Sequence, residues 1–183
     1  WLRESGWLGR LVFARFQYLS RVTDWYSGWS WVRTKKSGRG HLLAAGCHAV
    51  DALRWCTGLE PLEVSAFHTT FTKGYQWPTT IVVNVTMRGR RGEAAPVLAQ
   101  VVSSTDFQLP YAFGVEMMGD RASLRDDLIL WNDTPVDAEA LRRACPFPDI
   151  RFTDATTPTG APAIRILADM PGSSDVAHHP FQG

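Results

Sequence analysis

Residues 38–71 read GRGHLLAAGCHAVDALRWCTGLEPLEVSAFHTTF, from Gly38 to Phe71, and the rhythm of the sequence changes inside this stretch. Leu42, Leu43, Gly46, Ala49, Val50 and Leu53 recur at three- and four-residue steps, the apolar stripe of a helix over residues 41–57. Gly58 stands where a left-handed C-cap is needed, and Pro61 soon after prevents continuation. The small residues Ala44, Ala45 and Gly46 let the first turns come close to a sheet or a ligand. From Leu62 the period falls to two: Val64, Ala66, His68 and Thr70 alternate with Ser65, Phe67, Thr69 and Phe71, which predicts a strand.

Outward from this stretch the pattern is mostly that of strands. Before it, residues 9–21 interleave Leu11, Phe13 and Phe16 or Tyr18 with Arg10, Arg15 and Gln17, a half-buried strand after a turn at Gly9. Residues 22–40 collect Trp25, Tyr26, Trp29 and Trp31 among glycines without a regular period, and are expected to form a long loop carrying aromatic side chains. After it, residues 79–103 read as a hairpin turning at residues 88–92. Shorter strands are predicted at 111–118, 122–125 and 128–131, with Gly119-Asp120 as a two-residue turn. Residues 138–144 fit a short helix, and residues 145–183, rich in Pro, Thr, Gly and Asp, show no clear pattern. The prediction is an α+β fold: a largely antiparallel open sheet with one long helix packed on it.

The 183 residues suit one domain, and 45% hydrophobic with 20% charged is ordinary for a globular chain. No apolar run reaches the roughly 18 residues of a membrane span. A net charge of +1 carries no basic stripe, and the Arg88-Gly89-Arg90-Arg91-Gly92 cluster reads as a solvated hairpin tip, so neither nucleic acid nor membrane is expected as a partner. Cys47, Cys56 and Cys145 are odd in number and lack CxxC spacing; free thiols are expected, and with them the reducing cytoplasm. Trp1-Leu2-Arg3-Glu4 lacks the order of a signal peptide, and without an initiator Met the chain is expected to be a fragment, truncated at both ends.

On the helix, His48 and Asp51 are three apart and share a face, with Ala44 four before His48 on that same face. The missing side chain at Ala44 opens room beside the imidazole. Imidazole is suited to taking a proton from an alcohol while hydride leaves the same carbon. A helical His is also commonly a satisfied structural residue, and Asp51 could equally anchor the helix by a hydrogen bond. Trp25, Trp31 and Lys36 lie in the loop, where aromatic faces suit the apolar side of a sugar ring but also suit packing. A metal site from His41, His48, His178 and His179 has no HxH, HExxH or Cys/His spacing behind it, and no metal is expected.

Residues 38–55, followed by Gly58-Leu59-Glu60-Pro61-Leu62-Glu63-Val64-Ser65-Ala66, resemble the second domain of the Gfo/Idh/MocA oxidoreductases, which include glucose–fructose oxidoreductase and inositol dehydrogenase. The opening Ser5-Gly6-Trp7-Leu8-Gly9-Arg10-Leu11-Val12-Phe13-Ala14-Arg15 and the later Gly119-Asp120-Arg121-Ala122-Ser123-Leu124 share the resemblance, which covers about residues 5–131; His179-Pro180-Phe181 resembles the lead into the family's last helix only weakly. The resemblance implies a two-domain enzyme. A Rossmann domain would bind NAD or NADP through a glycine-rich loop, and residues 1–183 would be the substrate-binding and oligomerisation domain. No GxGxxG after a strand and no Glu-Lys-Pro with the family's catalytic Lys is present, so the dinucleotide-binding domain is absent from this sequence. His48 matches the family's catalytic histidine. Where the family commonly has an acidic residue four positions earlier, this sequence has Ala44.

The expected function is therefore the substrate side of an NAD(P)-dependent oxidoreductase. It would move hydride to or from a sugar, polyol or related hydroxy or oxo compound, with the fragment inactive alone and homo-oligomeric through its open sheet. The competing expectation is a non-catalytic module that only assembles subunits.

Overall fold

Alternation in the first strand builds the centre of the molecule. In β1 (Leu11–Leu19) the side chains of Ala14, Phe16 and Tyr18 are buried on one face, while Phe13, Arg15 and Gln17 turn to the other. The computed structural model describes residues 1–21, 30–89 and 95–168. After β1 come a 3-10 turn at Ser30–Arg33, a π-helical segment at Leu42–Gly46, α1 (Cys47–Thr57) and β2 (Pro61–Thr69). The order continues with β3 (Thr80–Met87), β4 (Val97–Ser104), β5 (Ala112–Gly119), β6 (Ser123–Arg125), β7 (Leu128–Leu130), α2 (Ala138–Ala144), β8 (Ile150–Thr156) and β9 (Pro162–Ala168). Among the described residues these strands form one nine-stranded sheet in the order β2-β3-β4-β1-β5-β6-β7-β9-β8. Only the β1–β4 pair is parallel; every other neighbouring pair is antiparallel.

The α+β expectation, an open and largely antiparallel sheet carrying a helix, is the fold observed. Strand by strand, residues 11–19, the 79–103 hairpin, the strands near 111–118 and 122–131 and the helix at 138–144 are all present. The hairpin tip at Arg90 and Arg91 lies outside the described residues, as do Trp25, His178, His179 and Phe181.

Four details differ. The helix is not uniform: residues 42–46 are π-helical, and α1 begins at Cys47. A π turn takes an extra residue, which rotates the residues before it around the axis. Leu43 is consequently 62% exposed and Val50 also faces outward, so the buried stripe runs through Ala45, Gly46, Ala49, Leu53 and Thr57. Cys47, on the same outward side, is exposed, and all three thiols are free. Second, Gly119 is not a turn residue. It ends β5, and an added Cβ there would sit 1.8 Å from the Leu8 carbonyl oxygen, so glycine is needed for close approach of the opening segment. Third, residues 150–168, in the stretch that showed no clear pattern, form a hairpin, β8–β9, closed by Thr157 N–H to Ala161 O at 2.8 Å. Fourth, β2 is exposed along its whole length, a bare edge strand.

The core lies between α1 and the middle of the sheet, where Ala49 and Leu53 meet Ala14, Phe16, Ala99, Val101 and Met117. Gly46 lets the helix close onto β4, since a Cβ would meet Ser103 Oγ at 2.3 Å. The αL cap forms as expected at Gly58, with its N–H on Arg54 O at 2.8 Å. Asp137 caps α2 by accepting from Glu139 N and Ala140 N. On the far face, register aligns Ser65, Asn84, Gln100, Arg15, Glu116 and Arg125 in one polar row. Glu116 pairs with Arg125 at 3.0 Å and with Arg15 at 3.5 Å, and Gln100 donates to Asn84 at 3.0 Å. Exposed Phe67 and Leu98 lie in the neighbouring rows.

Candidate active site

The site is assembled where α1 crosses the ends of β1, β4 and β5. Pairing places Tyr18 of β1 beside Ser103 of β4 and Phe113 of β5. Because Tyr18 follows Ala14 and Phe16 in the alternation, its ring points toward the helix, where it is only 7% exposed. Among the described residues, four aromatic rings pack on it. His48 lies at 5.9 Å between centroids and 32° between planes, His41 at 5.7 Å, Tyr111 edge-on at 5.3 Å and Phe113 edge-on at 6.1 Å.

His48 is exposed on the outward face of α1. Ala44 and Asp51 are exposed with it, so the three residues do share a solvent-facing side of the helix. Neither His48 nor Asp51 makes a side-chain hydrogen bond among the described residues. The first-turn amides are not open to a ligand at every position: the N–H groups of Leu43 and Ala44 both donate to Gly40 O, at 3.1 and 3.0 Å.

His41 is the structural histidine. It is 1% exposed, with Nε2 3.1 Å from Ser20 Oγ and Nδ1 2.7 Å from Ser103 Oγ. A neutral ring satisfies both, one nitrogen donating and the other accepting. Burial pushes its pKa down to about 4, and the negative charge of Asp106 opposes this only in part. The two hydroxyls hold the start of the helix to the end of β1 and to β4, about two turns before His48.

Trp31 and Lys36 belong to a neighbouring segment. The 3-10 turn puts Trp31 at the surface and buries Val32, whose carbonyl accepts from the indole N–H of buried Trp77. Gln76 N–H donates to Arg33 O at 2.9 Å, and Tyr75 packs edge-on to Trp77 while Arg33 lies over its ring. The 70–79 loop is held in turn by Asp106, which accepts from the hydroxyls of Thr72 (2.6 Å), Thr79 (2.8 Å) and Thr80. Burial pushes the Asp106 carboxyl up, but these donors outweigh it and hold its pKa below the ordinary carboxylate value. His48, Tyr111 and Phe113 thus each pack on Tyr18, while Trp31 and Lys36 lie in the segment next to Val32 and Arg33 that Trp77 and Gln76 hold.

Sequence reasoning did not anticipate Tyr18, Tyr111 and Phe113 in this cluster beside α1. The parity of β1 was a usable signal for Tyr18, but nothing local says that β5 lies beside β1. No group of three His, Cys, Asp or Glu side chains among the described residues could hold a metal ion. No helix among them is long and apolar enough to cross a membrane. None of the described strand–helix junctions carries a glycine-rich phosphate loop, so these residues do not fit a dinucleotide by themselves.

The chain is similar to several solved structures. Levoglucosan dehydrogenase, in complex with NADH and levoglucosan, superposes with a TM-score of 0.60 at 18% identity over 91% of this chain and 42% of its own. Myo-inositol 2-dehydrogenase from Lactobacillus plantarum gives 0.56 at 15%, over 96% of this chain and 45% of its own. The WlbA dehydrogenase from Bordetella pertussis, in complex with NADH and UDP-GlcNAcA, gives 0.55 at 19%, over 68% and 36%. At such identities the likeness is one of fold, and the chain spans less than half the length of each. No curated protein sequence matches. The pattern of one family, however, runs through residues 2–125, covering β1, the helix with His48 and the sheet up to β6: the chain belongs to the family described as the GFO/IDH/MocA C-terminal domain.

Proposed function

We propose that this chain is the substrate-side domain of an NAD(P)-dependent oxidoreductase acting on a sugar, polyol or related hydroxy or oxo compound. The NAD or NADP would be held mainly by a separate dinucleotide-binding domain, and when bound it supplies the hydride exchange. His48 takes the proton from the substrate hydroxyl on oxidation, or returns it to the carbonyl oxygen on reduction. The observation that supports this most is the setting of His48. It is exposed and without a side-chain hydrogen bond, on a helix pinned at its start by His41, and its ring lies against a nearly buried tyrosine. The three solved relatives described above are named as dehydrogenases, two of them in complex with NADH and a sugar-like compound.

Ala44 leaves His48 without the carboxylate that the family commonly places four residues before it. The imidazole is then oriented by Tyr18 alone among the described side chains. The test is to join the chain to a dinucleotide-binding domain and follow reduced nicotinamide with a panel of sugars and polyols. His48→Gln should lower kcat by about 100-fold or more, Ala44→Asp should raise it, and the chain alone should be inactive. Turnover indifferent to His48→Gln would refute the assignment.

A second reading, subunit assembly, is favoured by one observation: the sheet face opposite α1 and the edge strand β2 carry exposed Phe67, Leu98, Val64 and Leu62. As a non-catalytic module that only assembles subunits, this reading parts from the first at His48→Gln, which would then leave the joined protein unchanged.

A further inference from the structure

A buried polar side chain is costly unless hydrogen-bonded, so a fold rarely collects many of them without consequence. Among the described residues, all those that are fully buried except Thr57 lie at the end of β4: Ser20, His41, Thr79, Ser103, Ser104 and Thr105. Successive side chains of a strand point to opposite faces. Ser103 takes the helix side, where its hydroxyl meets His41 Nδ1 at 2.7 Å. Ser104 takes the other, where its hydroxyl meets Thr80 Oγ1 at 2.6 Å. Beyond them Thr105 N–H donates to Thr79 O at 3.0 Å, and Asp106 N–H to Ser104 Oγ at 3.0 Å. The Asp106 carboxylate then divides its acceptors between the two ends of the 70–79 loop. Oδ1 accepts from Thr72 N–H at 3.2 Å and from its hydroxyl at 2.6 Å, while Oδ2 accepts from the hydroxyls of Thr79 and Thr80. One side chain thereby closes the loop.

What the closed loop holds is the segment 31–38. Gln76 N–H donates to Arg33 O at 2.9 Å, Lys35 N–H to Gln76 Oε1 at 3.3 Å, and the Trp77 indole N–H to Val32 O. The segment is itself a tight turn, with Gly38 N–H on Thr34 O at 2.9 Å and no space at Gly38 for a Cβ, which would collide with the Val32 carbonyl. It carries Trp31 and Lys36, and residues 33–39 crowd together the mutually repelling charges of Arg33, Lys35, Lys36 and Arg39. Such a segment needs to be held. We propose that Asp106 is a positioning residue: by closing the 70–79 loop it fixes the 31–38 segment relative to the start of the helix that carries His48. Both are moored to the same four residues, 103–106. The segment then offers Trp31 and Lys36 to the substrate, while proton exchange at His48 does not depend on the carboxylate. The substrate half of this inference rests on the oxidoreductase reading; the mooring of the segment does not.

Amide hydrogen exchange on the 183-residue chain tests it. In Asp106→Ala, exchange at Lys35, Gly38 and Gln76 should quicken about tenfold or more, the loss of hydrogen bonds to a charged group, while Ala14 and Phe16 in β1 stay at the native rate. Thr72→Val, which keeps the shape and removes one donor, should act in the same direction, and Thr72→Ser, which keeps the hydroxyl, should be native. These two variants decide the matter if Asp106→Ala does not fold. In the chain joined to a dinucleotide-binding domain, Asp106→Ala should raise KM about tenfold and change kcat by no more than about twofold. Native exchange at 31–38 in both Asp106→Ala and Thr72→Val would overturn the proposal. So would equal quickening in β1, which marks a merely structural role, or a fall in kcat at unchanged KM. If exchange behaves as described but the joined protein transfers no hydride, the redox reading fails and the mooring by Asp106 stands. If turnover needs His48 but KM ignores Asp106→Ala, the positioning role fails and the redox reading stands.

Discussion

Two histidines seven residues apart on one helical run do different things, and burial separates them. His48 is exposed with no hydrogen-bond partner among the described side chains, whereas His41 is sealed between Ser20 and Ser103. The buried ring carries a stability consequence. Its folded pKa of about 4 lies below the ordinary 6.5, so between those values the unfolded chain binds a proton that the folded one refuses. Stability linked to His41 is therefore complete above about pH 6.5 and is lost as pH falls toward 4. Urea unfolding should show a loss of roughly 2 kcal/mol between pH 7 and pH 5, and a folded His41→Gln variant should lose this dependence. Asp106, with its carboxyl held below the usual range, adds a further loss in more acid solution, by the same sign.

At the scale of elements, α1 shows how a helix can be recognised and yet misaligned. Its extent and Gly58 cap were readable because both depend on local backbone chemistry. Which side is buried depends on the π-helical segment, whose extra residue per turn moves Leu43 outward and leaves Ala45, Ala49 and Leu53 inside. Leu53→Ala should accordingly cost about 2–5 kcal/mol, while Leu43→Ala should change stability by no more than about 0.5 kcal/mol. Thermal unfolding of the two variants decides between this face and the one expected from period alone. The β8–β9 hairpin was missed for a related reason. Only Phe152 is buried in β8, Ala163 and Ile164 are buried consecutively in β9, and Pro162 opens that strand, so no clean alternation marks either.

At the scale of the molecule, the described residues give a sheet with one face covered by α1 and another that carries no described helix, ending in a fully exposed edge strand. Exposed apolar side chains on an unprotected edge favour pairing with a second copy. The chain is expected to self-associate, and Phe67→Lys with Leu98→Lys should shift light scattering toward the monomer. Because Phe67 is 71% exposed and Leu98 56%, the double variant should unfold at nearly the native temperature. A native monomer in light scattering would count against the assembly reading without touching the site at His48.

What the sequence determined by itself is whatever nearest neighbours along the chain control: the helix and its glycine cap, the β3–β4 hairpin, the period-two strands, and through its motifs the family and the candidate histidine. Only the tertiary structure decided which strands lie side by side. The parallel β1–β4 pair and the antiparallel β1–β5 pair bring Tyr18 between Ser103 and Phe113, residues more than eighty positions away. That neighbourhood makes His41 structural and packs His48, Tyr111 and Phe113 on the one ring of Tyr18. Strand order follows from how separated elements bury their faces together, and a local pattern carries no record of it.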